Sequence, residues 1–318
     1  MKQTLVIGSA VVDIIIEIPH LPKTQEDIHI KKQSRSLGGC AYSASDILRH
    51  FNRKYNVPSS LCTAVGGGIY GDYVRKHLTE RGVPIYVSRP EVENGCCYCM
   101  VEDGGERTFI VDHGVEYTFD EAYLENIDTD SIDSVYVCGL EVEEVTGMNI
   151  IHYLEKHPDY TIYFAPGARV MEIQPERMER MLALHPILHM NEEESMKYTG
   201  QSTVEKAARA LYEKTQNAVI VTLGDKGSYC FDGENDLYAE PVPAVVCDTI
   251  GAGDSHIGTV MAGRRLGLGF ADAIQMANYI SSAVVSQRGG MLSEERFEKA
   301  LNAMPANLLE KLAAGHRK

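Results

Sequence analysis

The chain has 318 residues, of which 44% are hydrophobic and 24% are charged, which is enough for one large globular domain with a substantial core. Its 45 Asp and Glu outnumber its 30 Lys and Arg, and the formal net charge of −15 opposes binding to nucleic acid or to anionic membranes. The N-terminus has no signal-peptide pattern, and no apolar stretch reaches the roughly 20 residues of a membrane span. We therefore expect a soluble, cytoplasmic protein.

Short β-rich segments alternate with helical patterns along most of the chain, which predicts an α/β domain with a mostly parallel sheet. The predicted core strands are residues 5–16, 60–65, 134–138, 161–164, 187–190 and 218–222, and the predicted helices include residues 41–52, 70–81, 145–156 and 204–214. Two stretches lack a partnering helix, at about 17–37 and 95–119. Within a single domain of residues 1–318, they predict a small β-sheet lid over the ligand-binding end of the main sheet.

Three of the eight cysteines lie close together, at Cys96, Cys97 and Cys99. A C-x-x-C pair can bind zinc or act in redox chemistry, but no second Cys or His pair follows at zinc-finger spacing. The segment also alternates like a strand, which puts Cys96 and Cys99 on opposite faces. Several other cysteines lie in apolar runs, which favours reduced thiols over a disulfide framework.

A glycine-rich segment at Gly66, Gly68 and Gly71 formally matches the G-x-G-x-x-G fingerprint of dinucleotide-binding proteins. The match falls in the third element of the chain, whereas the fingerprint belongs to the first βα turn. The acidic residue expected about 20 positions further on would be Glu91, directly after Pro90. A dehydrogenase is therefore the weaker interpretation, and the sequence contains no P-loop.

The strongest local signal is the segment Asp248–Asp254, which reads D-T-I-G-A-G-D and opens a long predicted helix. The first amides of a helix lack internal acceptors and carry the positive end of its dipole, so the small residues Gly251, Ala252 and Gly253 would let an anion approach the backbone. Asp254 would lie beside that anion, either as a general base that holds a hydroxyl group or as a simple helix cap. The motif alone leaves both interpretations open.

This segment resembles the D-T-x-G-A-G-D signature of the ribokinase, or PfkB, family of carbohydrate and nucleoside kinases. Other family marks follow in order: Asp13 in the first strand, Gly38-Gly39 before a helix, N-x-x-E at Asn191–Glu194, T-L-G-x-x-G at Thr222–Gly227, Asn278, and the Gln287–Gly290 turn. The resemblance implies a Rossmann-like three-layer α/β/α ribokinase-type fold with a small β-sheet lid.

The activity implied by the resemblance is ATP- and Mg²⁺-dependent phosphorylation of a hydroxymethyl group on a sugar or sugar-like molecule. One alternative is a nucleoside or pseudouridine kinase of the same family. The other is a ligand-binding or regulatory homologue that has lost catalysis. Because lid sheets in the family can pair between subunits, a homodimer through the lid is a further expectation.

The resemblance also implies a role for each matching residue. Asp254 would be the catalytic base, and Gly251, Ala252 and Gly253 would form the anion hole. Substrate hydroxyls would contact Asp13, Gly39, Ser43, Glu141, Arg169 and Asp254, and the nucleotide would contact Asn191, Thr222, Gly224, Gly227 and Asn278. Glu194 would organise Mg²⁺ through water, and a monovalent cation such as K⁺, which many members bind, would have its ligands at Asp248, Ile250, Val284, Gln287, Gly289 and Ser293.

Three positions depart from the family pattern. Ser43 stands where relatives have an Asn that grips sugar hydroxyls, so the acceptor can differ from ribose or fructose. His256 stands where Phe is common, and it is expected to pack because residues two apart on a helix do not share a face. The Val65–Gly68 segment lacks the acidic residue expected after its glycine. In addition, Arg107 lies in a segment like the lid hairpin of many sugar kinases, which raises the question of a direct acceptor contact.

Overall fold

The structure is a computed structural model that describes residues 2–104 and 106–316. Its strands, numbered along the chain, are β1 (Gln3–Ile7), β2 (Val11–Glu17), β3 (Lys32–Gly38), β4 (Ser59–Cys62), β5 (Ala64–Gly67), β6 (Val87–Glu93), β7 (Cys96–Val101), β8 (Arg107–Asp112), β9 (Ile132–Cys138), β10 (Thr161–Ala165), β11 (Ile187–Asn191), β12 (Val219–Thr222), β13 (Ser228–Phe231) and β14 (Asp236–Ala239). The main sheet has the order β14-β13-β12-β11-β10-β9-β1-β4. Neighbours from β4 to β12 run parallel, and β13 and β14 extend the sheet antiparallel.

The helices, numbered likewise, are α1 (Cys40–Tyr55), α2 (Gly68–Glu80), α3 (Gly139–Glu143), α4 (Gly147–Glu155), α5 (Pro175–Ala183), α6 (Glu192–Thr199), α7 (Val204–Thr215), α8 (Ala252–Arg265), α9 (Phe270–Val285), α10 (Glu294–Asn302) and α11 (Ala306–His316). Side chains of β1 alternate between two apolar cores. Val6 belongs to the core of α1, α8 and α9, whereas Leu5 and Ile7 belong to that of α4, α5 and α7. The result is the expected three-layer α/β/α arrangement. None of the described helices is long and apolar enough to cross a bilayer.

Two expected strands are each divided between different sheets. Residues 5–16 do not form one core strand, because the chain turns at Gly8, whose φ of 146° is rare for other residues. Residues 60–65 likewise divide into β4 and β5, and β5 pairs with β6 in a separate two-stranded sheet. The two breaks face each other, since the Ala10 amide donates a hydrogen bond to Oγ1 of Thr63 at 3.1 Å. The sequence pattern did not reveal these breaks because the apolar residues continue through them.

Strands β3, β2, β7 and β8 form, in that order, a four-stranded sheet that we call the small sheet. Its register places Asp13 opposite Ser36 on β3 and Cys97 on β7, so these side chains share one face. On the other face Ile14 and Cys96 are buried, and Tyr98 contacts Tyr70 of α2 through their hydroxyl groups at 3.3 Å. Among the described residues, no group of three or more His, Cys, Asp or Glu side chains is arranged to hold a metal ion.

A buried carboxylate, Glu116, ties the small sheet to the main domain. It accepts hydrogen bonds from Nδ2 of Asn94 at 2.7 Å, from the Gly95 amide at 3.0 Å and from the Gly114 amide at 3.1 Å. Oδ1 of Asn94 accepts in turn from the Gly66 amide at 2.6 Å. A Cβ atom at Gly95 would lie 1.8 Å from the carbonyl oxygen of Asp112. The chain at Gly95 can therefore approach the chain at Asp112 this closely only because residue 95 is a glycine. This cluster fixes where the small sheet leaves the main domain.

Candidate active site

The first turn of α8 is open toward space at the C-terminal edge of the main sheet. Gly251 is the N-cap residue with a φ of 73°, a left-handed conformation that favours glycine, and no side chain of the described residues caps the helix. A Cβ atom at Gly253 would have no atom of residues 2–104 or 106–316 within 4 Å. Ala252 and Gly253 therefore present the start of a 14-residue helix to any anion that enters from this side.

Asp254 lies in this first turn, and its environment differs from that of a helix cap. The N-cap residue is Gly251, three positions earlier. Burial, together with the nearby carboxylates of Glu141, Asp13 and Glu194, raises the pKa of Asp254 to about 7, although the Cys40 thiol lowers it in part. A carboxyl group that titrates near neutral pH is suited to accept a proton from a hydroxyl group.

Glu141 approaches the same space from α3, which follows β9. Only 1% of this residue is exposed, and burial raises the pKa of its carboxyl group to about 7. Oε1 accepts a hydrogen bond from the Ser9 amide at 2.8 Å, whereas the buried Oε2 accepts none of good geometry from the described residues. Gly8 makes room for this side chain, because a Cβ atom there would lie 2.7 Å from Oε1. An acceptor hydroxyl group would satisfy the second oxygen.

The third carboxylate of the cluster is Asp13 of β2. Burial, and then the charge of Asp248, raises the pKa of Asp13 to about 7. Its carboxylate covers Gly38, where a Cβ atom would lie 1.9 Å from Oδ2. Gly39 follows with a φ of 101°, and a Cβ atom at that position would lie 2.5 Å from the Ser9 carbonyl oxygen. Ser43, one turn into α1, is only 6% exposed, which leaves it little surface for an acceptor.

The residues expected at the nucleotide lie at the ends of β11 and β12. Asn191 pairs directly with Thr222 in the parallel register. Asn191 and Glu194 form a capping box at the start of α6: the Glu194 amide donates to Oδ1 of Asn191 at 2.8 Å, and the Asn191 amide donates to Oε2 of Glu194 at 3.0 Å. The box uses one carboxylate oxygen of Glu194 and leaves Oε1 outside it. Gly224 and Gly227, with φ of 63° and 90°, shape the loop after Thr222.

Asn278 and His256 are held inside the protein. Nδ2 of Asn278 donates to the carbonyl oxygens of Ala239 and Glu240 at 3.3 Å and 2.9 Å, which secures the end of β14 to α9. Nδ1 of His256 lies 3.0 Å from Nε2 of His189, and both rings are buried. Burial lowers the pKa of His256 to about 4, so its imidazole is neutral near pH 7. His256 therefore has the packing role expected from the sequence.

Asp248 organises the loop before α8. Its two oxygens accept hydrogen bonds from the Ile250 amide at 2.8 Å and from the Gly289 amide at 2.9 Å. Among the other expected cation ligands, the Val284 carbonyl oxygen accepts from the Gln287 amide at 3.3 Å, and Ser293 caps α10. The structure thus brings Asp248, Ile250 and Gly289 together, while the Ser293 hydroxyl is engaged elsewhere.

Arg107 of β8 reaches across from the small sheet to this loop. Its Nη2 lies 3.1 Å from Oδ1 of Asp248, and its Nη1 donates to Oγ1 of Thr249 at 2.7 Å. Its side chain is only 17% exposed. Beside it lies a cavity of about 450 Å³ between the small sheet and the loop, lined by Ile15, Ser34, Ser36, Asp248 and Gly289 among others. The guanidinium group of Arg107 is therefore bound by Asp248 and Thr249 of the same chain. The sequence pattern did not predict this bridge between the small sheet and the loop.

Arg169 is paired with a carboxylate other than Asp13, Glu141 and Asp254. It is on the surface after β10, where its Nε donates to Oε2 of Glu143 at 2.8 Å, and its side chain is 49% exposed. The hydrogen bond from Arg169 lowers the pKa of Glu143 below its usual range. The structure therefore gives Arg169 a protein partner, Glu143, and its contact with the acceptor stays a prediction.

Comparisons with known proteins agree with one another. Residues 1–296 match the sequence model of the family described as pfkB family carbohydrate kinase. The chain is 29% identical over 304 residues to the uncharacterized sugar kinase YegV of Escherichia coli, with 94% of each chain covered. Arabidopsis thaliana ribokinase complexed with ribose and ATP has a TM-score of 0.77 at 23% identity, over 96% of this chain and 100% of that chain. A chain of Escherichia coli described as a ribokinase II in complex with ATP and Mg²⁺ has a TM-score of 0.77 at 22% identity, over the same shares. These structures confirm the expected ribokinase-type fold.

Proposed function

Because the chain belongs to the pfkB family of carbohydrate kinases, we propose that it transfers the γ-phosphoryl group of ATP to a hydroxymethyl group of a sugar or sugar-like acceptor, with Asp254 as the general base. One observation carries the proposal: Asp254 stands at the open N-terminus of α8 with a pKa raised to about 7. The ribokinases of similar fold, one complexed with ribose and ATP and one with ATP and Mg²⁺, support the choice of cofactors.

The acceptor side of the reaction depends on the three carboxylates. Ionised Asp254 accepts the proton of the attacking hydroxyl group as the new bond to phosphorus forms. Asp13 and Glu141 accept hydrogen bonds from the other hydroxyl groups of the acceptor, which fixes the attacking oxygen in line with the leaving group. The buried second oxygen of Glu141 supports this assignment, because it accepts no well-formed hydrogen bond within the part of the chain that the structure describes.

The nucleotide side depends on helix amides and on Glu194. The amides of Gly251, Ala252 and Gly253 bind the transferring phosphoryl group as negative charge develops on it. Thr222, Gly224 and Gly227 line the nucleotide, next to Asn191. Mg²⁺, when bound, neutralises phosphate charge. Glu194 would hold its water ligands through Oε1, the oxygen outside the capping box.

A monovalent cation such as K⁺ beside the anion hole is a further part of the proposal. The grouping of Asp248, Ile250 and Gly289 supports it. Arg107 already places a positive charge 3.1 Å from Asp248, so the cation would bind the remaining carbonyl oxygens and have a modest effect. Activity measured in K⁺, Na⁺ and a bulky organic cation is expected to be highest in K⁺. Equal activity in all three would contradict the cation site.

The proposal also includes a homodimer formed through the small sheet. Among the described strands, its edge strand β8 pairs with β7 alone. It exposes large apolar side chains, with Phe109 at 52%, Ile110 at 53% and Val111 at 39%. Such an edge would pair with a second copy of the chain. Light scattering after size exclusion is expected to give twice the chain mass of 35.2 kDa for the wild type and one chain mass for Ile110→Lys.

A matched control distinguishes the effect of the β8 edge from the effect of any exposed apolar side chain. Val145 is 87% exposed but lies outside the small sheet, so Val145→Lys is expected to keep the mass of the wild type. A monomeric wild-type protein, or a dimer that survives Ile110→Lys, would contradict dimerisation through this strand.

ADP release across a panel of sugars and nucleosides tests the activity itself. Turnover with a sugar or sugar-like compound carrying a free hydroxymethyl group is expected, together with a phosphorylated product in the mass spectrum. Turnover with nucleosides alone would mean that the acceptor is a nucleoside and not a sugar. The same fold and the same base serve both kinds of kinase. A lack of turnover with every compound, by protein that still binds ATP, would favour a binding or regulatory role.

A further inference from the structure

The short helix α3 carries Glu141 but has little internal support. It is five residues long, and a helix of this length closes few of its own backbone hydrogen bonds. At its end the Glu144 amide donates to the Leu140 carbonyl oxygen at 3.2 Å. The last four carbonyl groups of a helix have no partner inside the helix. The position of Glu141 therefore depends on groups outside α3 that bind these carbonyl groups.

Arg177 of α5 binds three carbonyl groups at this end of α3. Its Nη1 lies 2.8 Å from the carbonyl oxygen of Val142, 2.6 Å from that of Glu143 and 2.5 Å from that of Glu144. The two N–H bonds of Nη1 are therefore shared among three acceptors. A cation in this place also interacts favourably with the negative end of the helix. Arg177 thus holds the backbone of the three residues that directly follow Glu141.

The packing of α3 against α4 and α5 keeps Arg177 in this place. Met181, one turn after Arg177 on α5, is buried in the same core as Ile151 of α4. Gly147, the first residue of α4, lets the chain come close to α3, because a Cβ atom there would lie 2.1 Å from the Val142 carbonyl oxygen. The end of α3 is therefore enclosed between these two helices, and the guanidinium group lies where they meet it.

Two other cationic groups lie near the end of α3, but they bind side chains. Nε of Arg169 donates to Oε2 of Glu143 at 2.8 Å, and Nδ1 of His113 pairs with Oε1 of Glu144. Among the described residues, Arg177 is the only cationic side chain with hydrogen bonds to the carbonyl groups of residues 142–144. Its removal would leave three carbonyl groups of α3 without this donor.

We propose that Arg177 is a positioning residue for the acceptor, because it holds the end of α3 and so fixes the direction of the Glu141 carboxylate. The contact of Glu141 with the acceptor rests on the proposed function. The other oxygen of this carboxylate has a partner in the protein, since Oε1 accepts from the Ser9 amide at 2.8 Å. A shift of α3 would move both oxygens together. The hydrogen bond to Ser9 therefore reports where the acceptor-binding oxygen lies.

Steady-state kinetics test the effect on each substrate. Arg177→Met keeps an unbranched side chain for packing but loses the donor, so KM for the acceptor is expected to rise about tenfold or more while KM for ATP stays within about twofold. Arg177→Lys keeps a charged donor and is expected to recover part of the loss. Arg180→Met, which breaks a pair with Glu155 from the same helix, is expected to keep the wild-type constants. Equal rises in both KM values, or the same rise in Arg180→Met, would overturn the proposal.

Amide hydrogen exchange, followed residue by residue by NMR, tests the position of Glu141 without any turnover. In Arg177→Met the Ser9 amide is expected to exchange about tenfold faster, because Glu141 accepts its hydrogen bond. The next amide, Ala10, is an internal control that should be unchanged, because it donates to Oγ1 of Thr63 at 3.1 Å. An unchanged rate at Ser9, or equal acceleration at both amides, would overturn the proposal.

A milder variant keeps the test decisive if Arg177→Met does not fold. Arg177→Lys is expected to speed exchange at Ser9 by a smaller factor in the same direction, again without a change at Ala10. Exchange at Ser9 that equals the wild-type rate in this variant, together with an unchanged KM for the acceptor, would overturn the proposal. A wild-type protein without kinase turnover would contradict the proposed function alone, because the exchange rates would still decide whether Arg177 positions Glu141.

Discussion

Replacing Asp254 with Asn is expected to lower kcat by about 10³-fold while ATP binding stays within a factor of about three, because the amide cannot accept the acceptor's proton. Asn has nearly the same volume and leaves the first turn of α8 in place. It also removes a negative charge from the neighbourhood of Asp13, Glu141 and Glu194, so the variant is expected to fold normally. A coupled assay of ADP release gives kcat, and isothermal titration gives ATP affinity.

The pH profile distinguishes a base from a residue that only shapes the site. The pKa of Asp254 is raised to about 7, so a base must be ionised and wild-type kcat/KM is expected to rise through about pH 7 and then level off. The residual activity of Asp254→Asn should lack this limb. Asp159→Asn, an exposed change far from the cluster, is expected to behave as the wild type. More than a tenth of the wild-type kcat in Asp254→Asn would refute the assignment.

Local patterns in the sequence carry the geometry of the parts that a single segment builds. The Asp248–Asp254 run predicted an open helix start, and the structure has α8 beginning directly after Gly251. The Asn191–Glu194 run corresponds to a capping box, a motif whose spacing is fixed by the helix itself. In these cases the residues that interact lie within one turn, so the order along the chain carries the geometry.

Contacts between distant segments were beyond the reach of the sequence pattern. Nothing local in the sequence marks the close approach of α1 and α8 at Gly258, because its partner Ala44 is more than 200 positions away. Arg169 had a plausible position at a strand end, but Glu143 competes for its guanidinium group. The breaks at Gly8 and Thr63 were missed because apolar residues on both sides continue the pattern while the strands change sheet.

Replacing Arg107 with Ala is expected to produce the second large effect. The side chain is largely buried and bridges the small sheet to Asp248 and Thr249, and its loss leaves the Asp248 carboxylate without its cation. Leaving one partner of a largely buried charge pair alone costs about 2–3 kcal/mol, which corresponds to roughly 30- to 150-fold in an equilibrium. If the small sheet covers the acceptor during transfer, kcat/KM for the acceptor is expected to fall by about that factor.

The chain offers a matched control, because a second arginine makes a similar bridge in a different environment. Nη1 of Arg288 lies 2.6 Å from Oε1 of Glu17 on the small sheet, but its side chain is 70% exposed. An exposed pair contributes less than about 1 kcal/mol, so Arg288→Ala is expected to change kcat/KM by no more than about fivefold. In an Asp248→Asn background, Arg107→Ala should cost far less than in the wild type, because the charge it compensates is gone. Equal losses from both arginines, or additive losses from Arg107 and Asp248, would mean that closure of the small sheet does not depend on the Arg107–Asp248 pair.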